Sequence, residues 1–545
     1  MQQLSALDAL FLHLETEATP MAVGSCILFT PPAKHKGSFY PKIRDHIVAR
    51  MHLAPLFSRR LAFMPFAVAT PMWTTVDKVD IAHHIQTIKL PKPGTMAQCE
   101  AMIAKLHEGL LDRDRPLWQF TVIEGLQTGQ IAFYAKIHHA ALDGQGGVAL
   151  AQAVLETSPI PTVVDAPNAR KARAAPSAMK LLGAAFRNTV AQYGKIAKSL
   201  PELAKTAGAM SALSASAAQA LNQTEGGKKK ARLDVASLIP KGLAIGPRTS
   251  MNVAISPRRA FKTVRIPLSE IKQIGRAHDA KLNDVVLALC SGALRGYFGD
   301  DKKMLAKTMI GAVPASLRNP GDTTSSNQVT MMLITLATNL ADPAKRMAAI
   351  VAGSTKAKML TQGMKNIIPT DLPSLGVPWL MSAISTLYNS DVVANRIPTV
   401  ANLVISNVPG PQVPLYMAGA TMDAYFPVSI VTHGLGLNVT LHSYNGSLDI
   451  GLIACKKAVP DIARFAKAIE AAHQELLAVS QPAPAVKEVP KKATKAVVKS
   501  APKRPKIGAL QPVLKVKVEA NKATAKAATK PKAVAPRKPK LAKTK

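Results

Sequence analysis

Cysteine is scarce in this chain: four in 545 residues, Cys26, Cys99, Cys290 and Cys455, far apart and without CxxC spacing. That spacing indicates neither a disulfide framework nor a zinc site, and it fits a reducing compartment. No uncharged apolar run reaches the roughly 18–20 residues that a bilayer-spanning helix needs, which argues against an integral membrane protein. Residues 1–20 carry Asp8, Glu15 and Glu17 and have no basic segment, which argues against a secretory signal peptide. Also missing are a GxSxG elbow, an HExxH pair, a Walker A loop and a GxGxxG turn after a strand. Gly144-Gln145-Gly146-Gly147 is too short and wrongly continued to cradle a dinucleotide. Acidic residues are few, 33 against 69 basic ones, for a net charge of +36.

What is present begins with an apolar body, 48% hydrophobic. Strand-like runs (24–30, 118–124, 131–137, 264–267, 330–335, 400–405, 437–441) alternate with helical ones, which indicates an α/β or α+β sandwich class. Composition divides the chain into residues 1–164, a basic alanine-rich linker at 165–246, a second body at 247–480 and a tail at 481–545. In the linker, Leu181, Ala184 and Ala185 recur at helical spacing among Lys and Arg, a pattern shared by an interfacial amphipathic helix and a solvated crossover helix. Residues 372–381 form a proline-interrupted apolar stretch suited to lining a lipid entrance or touching lipid.

The most informative segment is His138-His139-Ala140-Ala141-Leu142-Asp143-Gly144. In the run before it, Ile131, Phe133, Ala135, Ile137 and His139 fall on one strand face, and Tyr134, Lys136 and His138 on the other. His139 is thereby expected on the apolar face, where desolvation keeps an imidazole neutral and able to accept a proton. The carboxylate of Asp143 follows four residues on, and Gly144, Gly146 and Gly147 leave the strand end open to close approach before a helix expected from Val148. A second pair, His83-His84, has neither an acid nor a glycine at these offsets and reads as structural.

Those residues resemble the HHxxxDG motif of the coenzyme-A-dependent acyltransferases, and further matches narrow the resemblance to the bacterial wax ester synthase/diacylglycerol acyltransferase family. Residues 4–12 with Pro20-Met21-Ala22-Val23-Gly24 resemble its opening, and Arg115-Pro116-Leu117-Trp118 its PLW element. Asn283-Asp284 is similar to its ND motif, and residues 313–318 and 406–411 follow in family order. Several motifs in one order are far more specific than any one of them. The resemblance implies two chloramphenicol-acetyltransferase-like domains with the reaction tunnel between them. It makes His139 the general base, keeps His138 within the motif as support for the strand end, and gives Asp143 a mainly structural role and Gly144 that of keeping the tunnel open. Asn283 is implied to donate to the substrate or oxyanion, while its own position at the start of an apolar helix equally fits an N-cap. Asp284, Pro116, Leu117 and Trp118 are implied to shape the site.

The implied chemistry moves a fatty acyl group from acyl-CoA to the hydroxyl of diacylglycerol or of a long-chain alcohol, with no metal, no resident cofactor and no covalent intermediate. Two other readings stand beside it: a condensation-type acyltransferase fed by a carrier protein, and a non-catalytic lipid-granule or nucleic-acid tether. From Gln481 on, nineteen Lys or Arg face only Glu488 and Glu519, so the tail carries +17 of the +36. With no Phe, Trp or Tyr it cannot bury enough surface to fold, and it is expected to be disordered and to bind polyanions, either nucleic acid or anionic lipid, by charge alone. Peripheral association of a cytoplasmic enzyme with the inner membrane or lipid inclusions is the localisation expected.

Overall fold

The computed structural model describes residues 2–63, 71–142, 144–164, 246–299, 301–316, 329–365 and 399–481. Asp143, residues 165–245 of the linker, the 372–381 stretch and the tail from residue 482 lie outside the described residues. The chain divides into two units, Met1–Pro482 and Ala483–Lys545.

The first unit is built on two six-stranded mixed sheets. One runs β12 (Tyr416–Met417), β13 (Ala420–Val428), β2 (Ala22–Thr30), β7 (Ile131–His138), β6 (Trp118–Glu124), β5 (Ile85–Lys89). The other runs β10 (Val329–Thr335), β9 (Ile310–Ser316), β11 (Leu403–Pro409), β14 (Leu437–Tyr444), β15 (Ser447–Cys455), β8 (Arg259–Pro267). A three-stranded sheet, β1 (Gln2–Gln3), β4 (Met72–Thr75), β3 (Arg59–Ala62), completes the strands described. Neighbours are antiparallel except β5–β6, β11–β14 and β11–β9, and the helices among them make this the α/β sandwich class expected from the pattern.

Strand β7 shows why the pattern was readable. All eight of its residues are buried. Ile131, Phe133, Ala135 and Ile137 join Trp118, Phe120 and Val122 in one cluster, while Ala132 and Tyr134 join Cys99, Ile103 and Ala104 of the helix Met96–Glu108 in another. A strand covered on both faces loses the polar alternation of an edge strand, and burial of each large side chain stabilises by about 1.5–3 kcal/mol. Helix 96–108 is set by a capping box in which Thr95 and Gln98 satisfy each other's backbone N–H.

Strand β13 comes from the second half of the sequence, yet it pairs with β2 in the first sheet, with a bulge between Met422 and Ala424. It also packs on β14 and β15. There the two backbones come so close that a Cβ at Gly451 would overlap the Pro427 carbonyl oxygen, so the position requires glycine. Helix 96–108 binds the sheets a second time: the Glu100 carboxylate accepts from the Thr263 backbone and hydroxyl at 2.9 and 2.7 Å, and Glu108 accepts from the Arg259 N–H at 2.9 Å.

Candidate active site

The two histidines end the most deeply buried strand of the first sheet, but the pleat sets the direction of only one of them. Strand β7 stops at His138, and His139 opens a 3-10 turn, His139–Ala141, instead of continuing the apolar face as the alternation predicts. The turn is tied down on both sides. The His138 N–H donates to the Leu117 carbonyl at 2.9 Å and the His139 N–H to the Met21 carbonyl at 2.8 Å. The following helix spans Gly144–Val154, four residues earlier than its expected start at Val148.

His138 is fully buried. Its Nδ1 accepts from the Ala140 N–H at 3.1 Å, and its Nε2 lies 3.3 Å from a carboxylate oxygen of Glu15. Glu15, only 1% exposed, also pairs with Arg113 at 2.9 Å and accepts from the Met21 N–H at 3.1 Å. Burial alone would raise its carboxyl, but His138 and Arg113 outweigh that and hold it at about 2. Its partners occupy His138 as a support of the turn.

His139 has no carboxylate partner among the described residues. Its Nδ1 is covered and lacks a hydrogen-bond partner by geometry. Burial holds the imidazole at about 4, its own backbone carbonyl raising it and His138 lowering it, so the ring is neutral throughout the physiological range. The neutral state expected from the sequence is thus present, although it arises in a turn and not on the strand face. The imidazole stacks on the Phe11 ring, with centroids 3.9 Å apart and planes at 21°.

The PLW residues are buried beside this turn. Leu117 is buried with Leu4, Leu12, Ala22, Leu61, Trp73, Leu111 and Ala140 in one cluster, against which Phe11 and Ala141 pack. Trp118 is fully buried and donates from Nε1 to the Phe57 carbonyl at 3.2 Å, and the Pro116 carbonyl accepts from the Trp118 N–H at 2.8 Å. His84 stacks on Trp118 at 4.3 Å and its Nδ1 bonds the Trp118 carbonyl at 2.7 Å, a packing role in keeping with its sequence context.

Asn283 and Asp284 lie in the first turn of the helix Leu282–Tyr297, which packs beside the helices Pro343–Lys365 and Ile462–Val479. Asn283 is not the N-cap, one of the two roles open to it: that position is Lys281. Asp284 closes the turn by accepting from the Lys281 N–H at 3.1 Å and from the Ser354 hydroxyl at 2.6 Å. The half-buried Asn283 amide thereby stays free of the capping duty. Among the described residues no three His, Cys, Asp or Glu side chains gather to hold a metal, and no helix is long and apolar enough to cross a membrane.

Sequence reasoning missed Phe11, Glu15 and Arg113. Phe11 and Glu15 are four residues apart, a spacing that puts both on one side of the N-terminal helix Ala6–Leu14 and its exit. That spacing was the available signal.

Fold and site together define an acyltransferase with the HHxxxDG signature. Residues 4–286 match the family described as the wax ester synthase/diacylglycerol acyltransferase catalytic domain, and residues 325–477 match the WS/DGAT C-terminal domain. The chain belongs to the wax ester synthase/diacylglycerol acyltransferase family. It is 34% identical over 479 residues to a Mycobacterium tuberculosis (strain H37Rv) protein provisionally named a diacylglycerol O-acyltransferase, covering 87% of this chain and 99% of that one. It is 32% identical over 474 residues to the O-acyltransferase WSD of Acinetobacter baylyi, covering 84% and 93%. Among solved structures it is similar to the wax ester synthase/diacylglycerol acyltransferase from Marinobacter aquaeolei VT8, with a TM-score of 0.61, 26% identity, and 88% and 100% of the two chains covered. The starter condensation domain of rhizomide synthetase shares the fold at 12% identity, with a TM-score of 0.50 and 88% and 95% covered.

Proposed function

We propose that the protein transfers a fatty acyl group from acyl-CoA to the hydroxyl of diacylglycerol, of a long-chain alcohol, or of both, with His139 as general base. The observation that carries this reading is the neutral, desolvated imidazole just past the end of β7, its backbone anchored to the Met21 carbonyl while that of His138 is anchored to Leu117. The ring accepts the hydroxyl proton as the alcohol oxygen bonds to the thioester carbonyl carbon. The carbon–sulfur bond then breaks and the coenzyme A thiolate leaves, drawing the proton from an imidazolium that burial has made a good acid. A good leaving group makes a protein nucleophile unnecessary, so transfer is direct. Asp143 holds the turn, Gly144 keeps the approach open, and Asn283, released from capping, donates to the developing oxyanion.

Residues 1–164 and 247–480 act as two acyltransferase domains joined by 165–246, with the reaction tunnel between them and β13 reaching back from the second to the first. The two relatives named above carry O-acyltransferase names, which supports a hydroxyl acceptor. The acceptors are lipids, and the +17 tail draws the enzyme to an anionic membrane or lipid-inclusion surface from the cytoplasm. Supplying labelled palmitoyl-CoA with diacylglycerol and hexadecanol in competition tests the reading. It predicts labelled triacylglycerol, wax ester or both, and absence of both with retained fold would refute it.

A further inference from the structure

The N-terminal helix is a recognisable sequence element with no part in the chemistry described so far. The structure places its Phe11 ring flat against the imidazole of His139. No carboxylate among the described residues reaches the Nδ1 of His139, because the acid beside the motif, Glu15, is committed to His138 and Arg113. A base that must become cationic in the transition state, in a desolvated turn, gains from any neighbouring group that stabilises that charge. An aromatic face within about 6 Å supplies one, because its quadrupole presents negative charge to a cation above the ring. The stack also fixes the imidazole plane in a turn whose backbone is already pinned at His138 and His139.

We propose that Phe11 is a positioning residue for the acyl transfer: its ring orients His139 and stabilises the imidazolium form as the base takes the acceptor proton. This rests on His139 being the general base. The charged and titratable groups around the pair are few. The N-terminal helix and its exit bring Asp8, which accepts from the Ser5 hydroxyl, with His13 and Glu15; β7 brings His138 and, on the same face, Lys136, whose ammonium donates to the Leu106 and Gly109 carbonyls; the loop before β6 brings Arg113. Asp143 lies outside the described residues. None of these groups is stacked on His139, so the aromatic contribution can be separated from theirs.

The test compares Phe11→Leu, which keeps apolar bulk and removes the π face, with Phe11→Tyr, which keeps the face, and runs His139→Ala in parallel. For Phe11→Leu, kcat should fall about three- to thirtyfold, the span of a cation–π contact between exposed and desolvated settings. The KM for acyl-CoA should be unchanged, and the acid limb of kcat/KM should move to lower pH, because losing the π face makes the imidazolium harder to form. Phe11→Tyr should restore both kcat and the limb. An equal loss in Phe11→Leu and Phe11→Tyr, an unmoved acid limb, or wild-type kcat in Phe11→Leu overturns the proposal. With His139→Ala inactive, such a result removes only the role of Phe11, whereas an active His139→Ala removes the base assignment itself.

Discussion

Replacing Glu15 by Gln should loosen the active-site turn, and the size of the effect follows from the site. Folding lowers the Glu15 carboxyl from 4.5 to about 2. At 1.36 kcal/mol per unit, a shift of that size corresponds to about 3 kcal/mol of stability. The Glu15 side chain is 1% exposed, so its end of the pairing is little screened, but Arg113 at 35% is half-open, which trims the figure to about 2–3 kcal/mol. The sign is that of a depressed acid: the stabilisation is complete above pH 4.5 and is lost as pH falls through about 2. Wild type and Glu15→Gln should therefore differ in unfolding free energy by about 2–3 kcal/mol at pH 7. Urea unfolding followed at several pH values should show the gap closing between pH 4.5 and 2. Activity should fall as well, because Glu15 accepts from the Met21 N–H and the Met21 carbonyl holds the His139 backbone. A gap under about 0.5 kcal/mol at pH 7, within the range of ordinary surface substitutions, would refute the reasoning, as would a gap independent of pH.

Other consequences can be checked separately. Because burial holds His139 at about 4, kcat/KM should stay flat well below pH 6.5 and decline only as the pH approaches about 4; a decline centred at 6.5 in a pH–rate profile would show a solvated base. Gly451→Ala drives a methyl into the Pro427 carbonyl where β15 meets β13, and should lower unfolding free energy by about 1–3 kcal/mol in denaturant melts, while an unchanged melt would mean that the strands separate freely. Asp143→Asn should reduce both melting temperature and turnover; full loss of turnover at an unchanged melting temperature would make Asp143 a direct participant. Removing residues 483–545 should leave turnover on detergent-dispersed substrate intact and weaken binding to anionic liposomes and DNA, binding that in the full chain should fall steeply with added salt. Equal liposome binding by the shortened chain would place the anchor elsewhere.

How far the sequence could be read depended on whether a signal was local. Strands β2, β6 and β7 were legible because most of their large apolar residues are buried, in β7 on both faces, and the candidate site stood out because His138, His139 and Asp143 lie within six positions. The direction of His139 was not: alternation holds only while the strand lasts, and β7 stops at His138, where a 3-10 turn closed by the Leu142 N–H on the His139 carbonyl takes over. The helix from Gly144 begins on a glycine-rich run of poor helix propensity, which is why its start was placed later from the sequence. Asn283 was open to a capping role because amide side chains favour helix starts, yet Asp284 closes that turn from its third position. Phe11 and Glu15 meet the histidines across more than a hundred residues, and β13 joins the first sheet from the second half of the chain. No local periodicity encodes either pairing.

The central claim is that His139 takes the acceptor proton. It is tested most directly by the turnover of purified His139→Ala, shown to be folded by its thermal melt, with labelled palmitoyl-CoA and the preferred acceptor at saturation. Loss of a general base predicts a fall of about 10² to 10⁴ in kcat with the melt unchanged, and with His138→Ala less affected in chemistry than in stability. A folded His139→Ala that retained more than about a tenth of wild-type turnover, far above that range, would contradict the account.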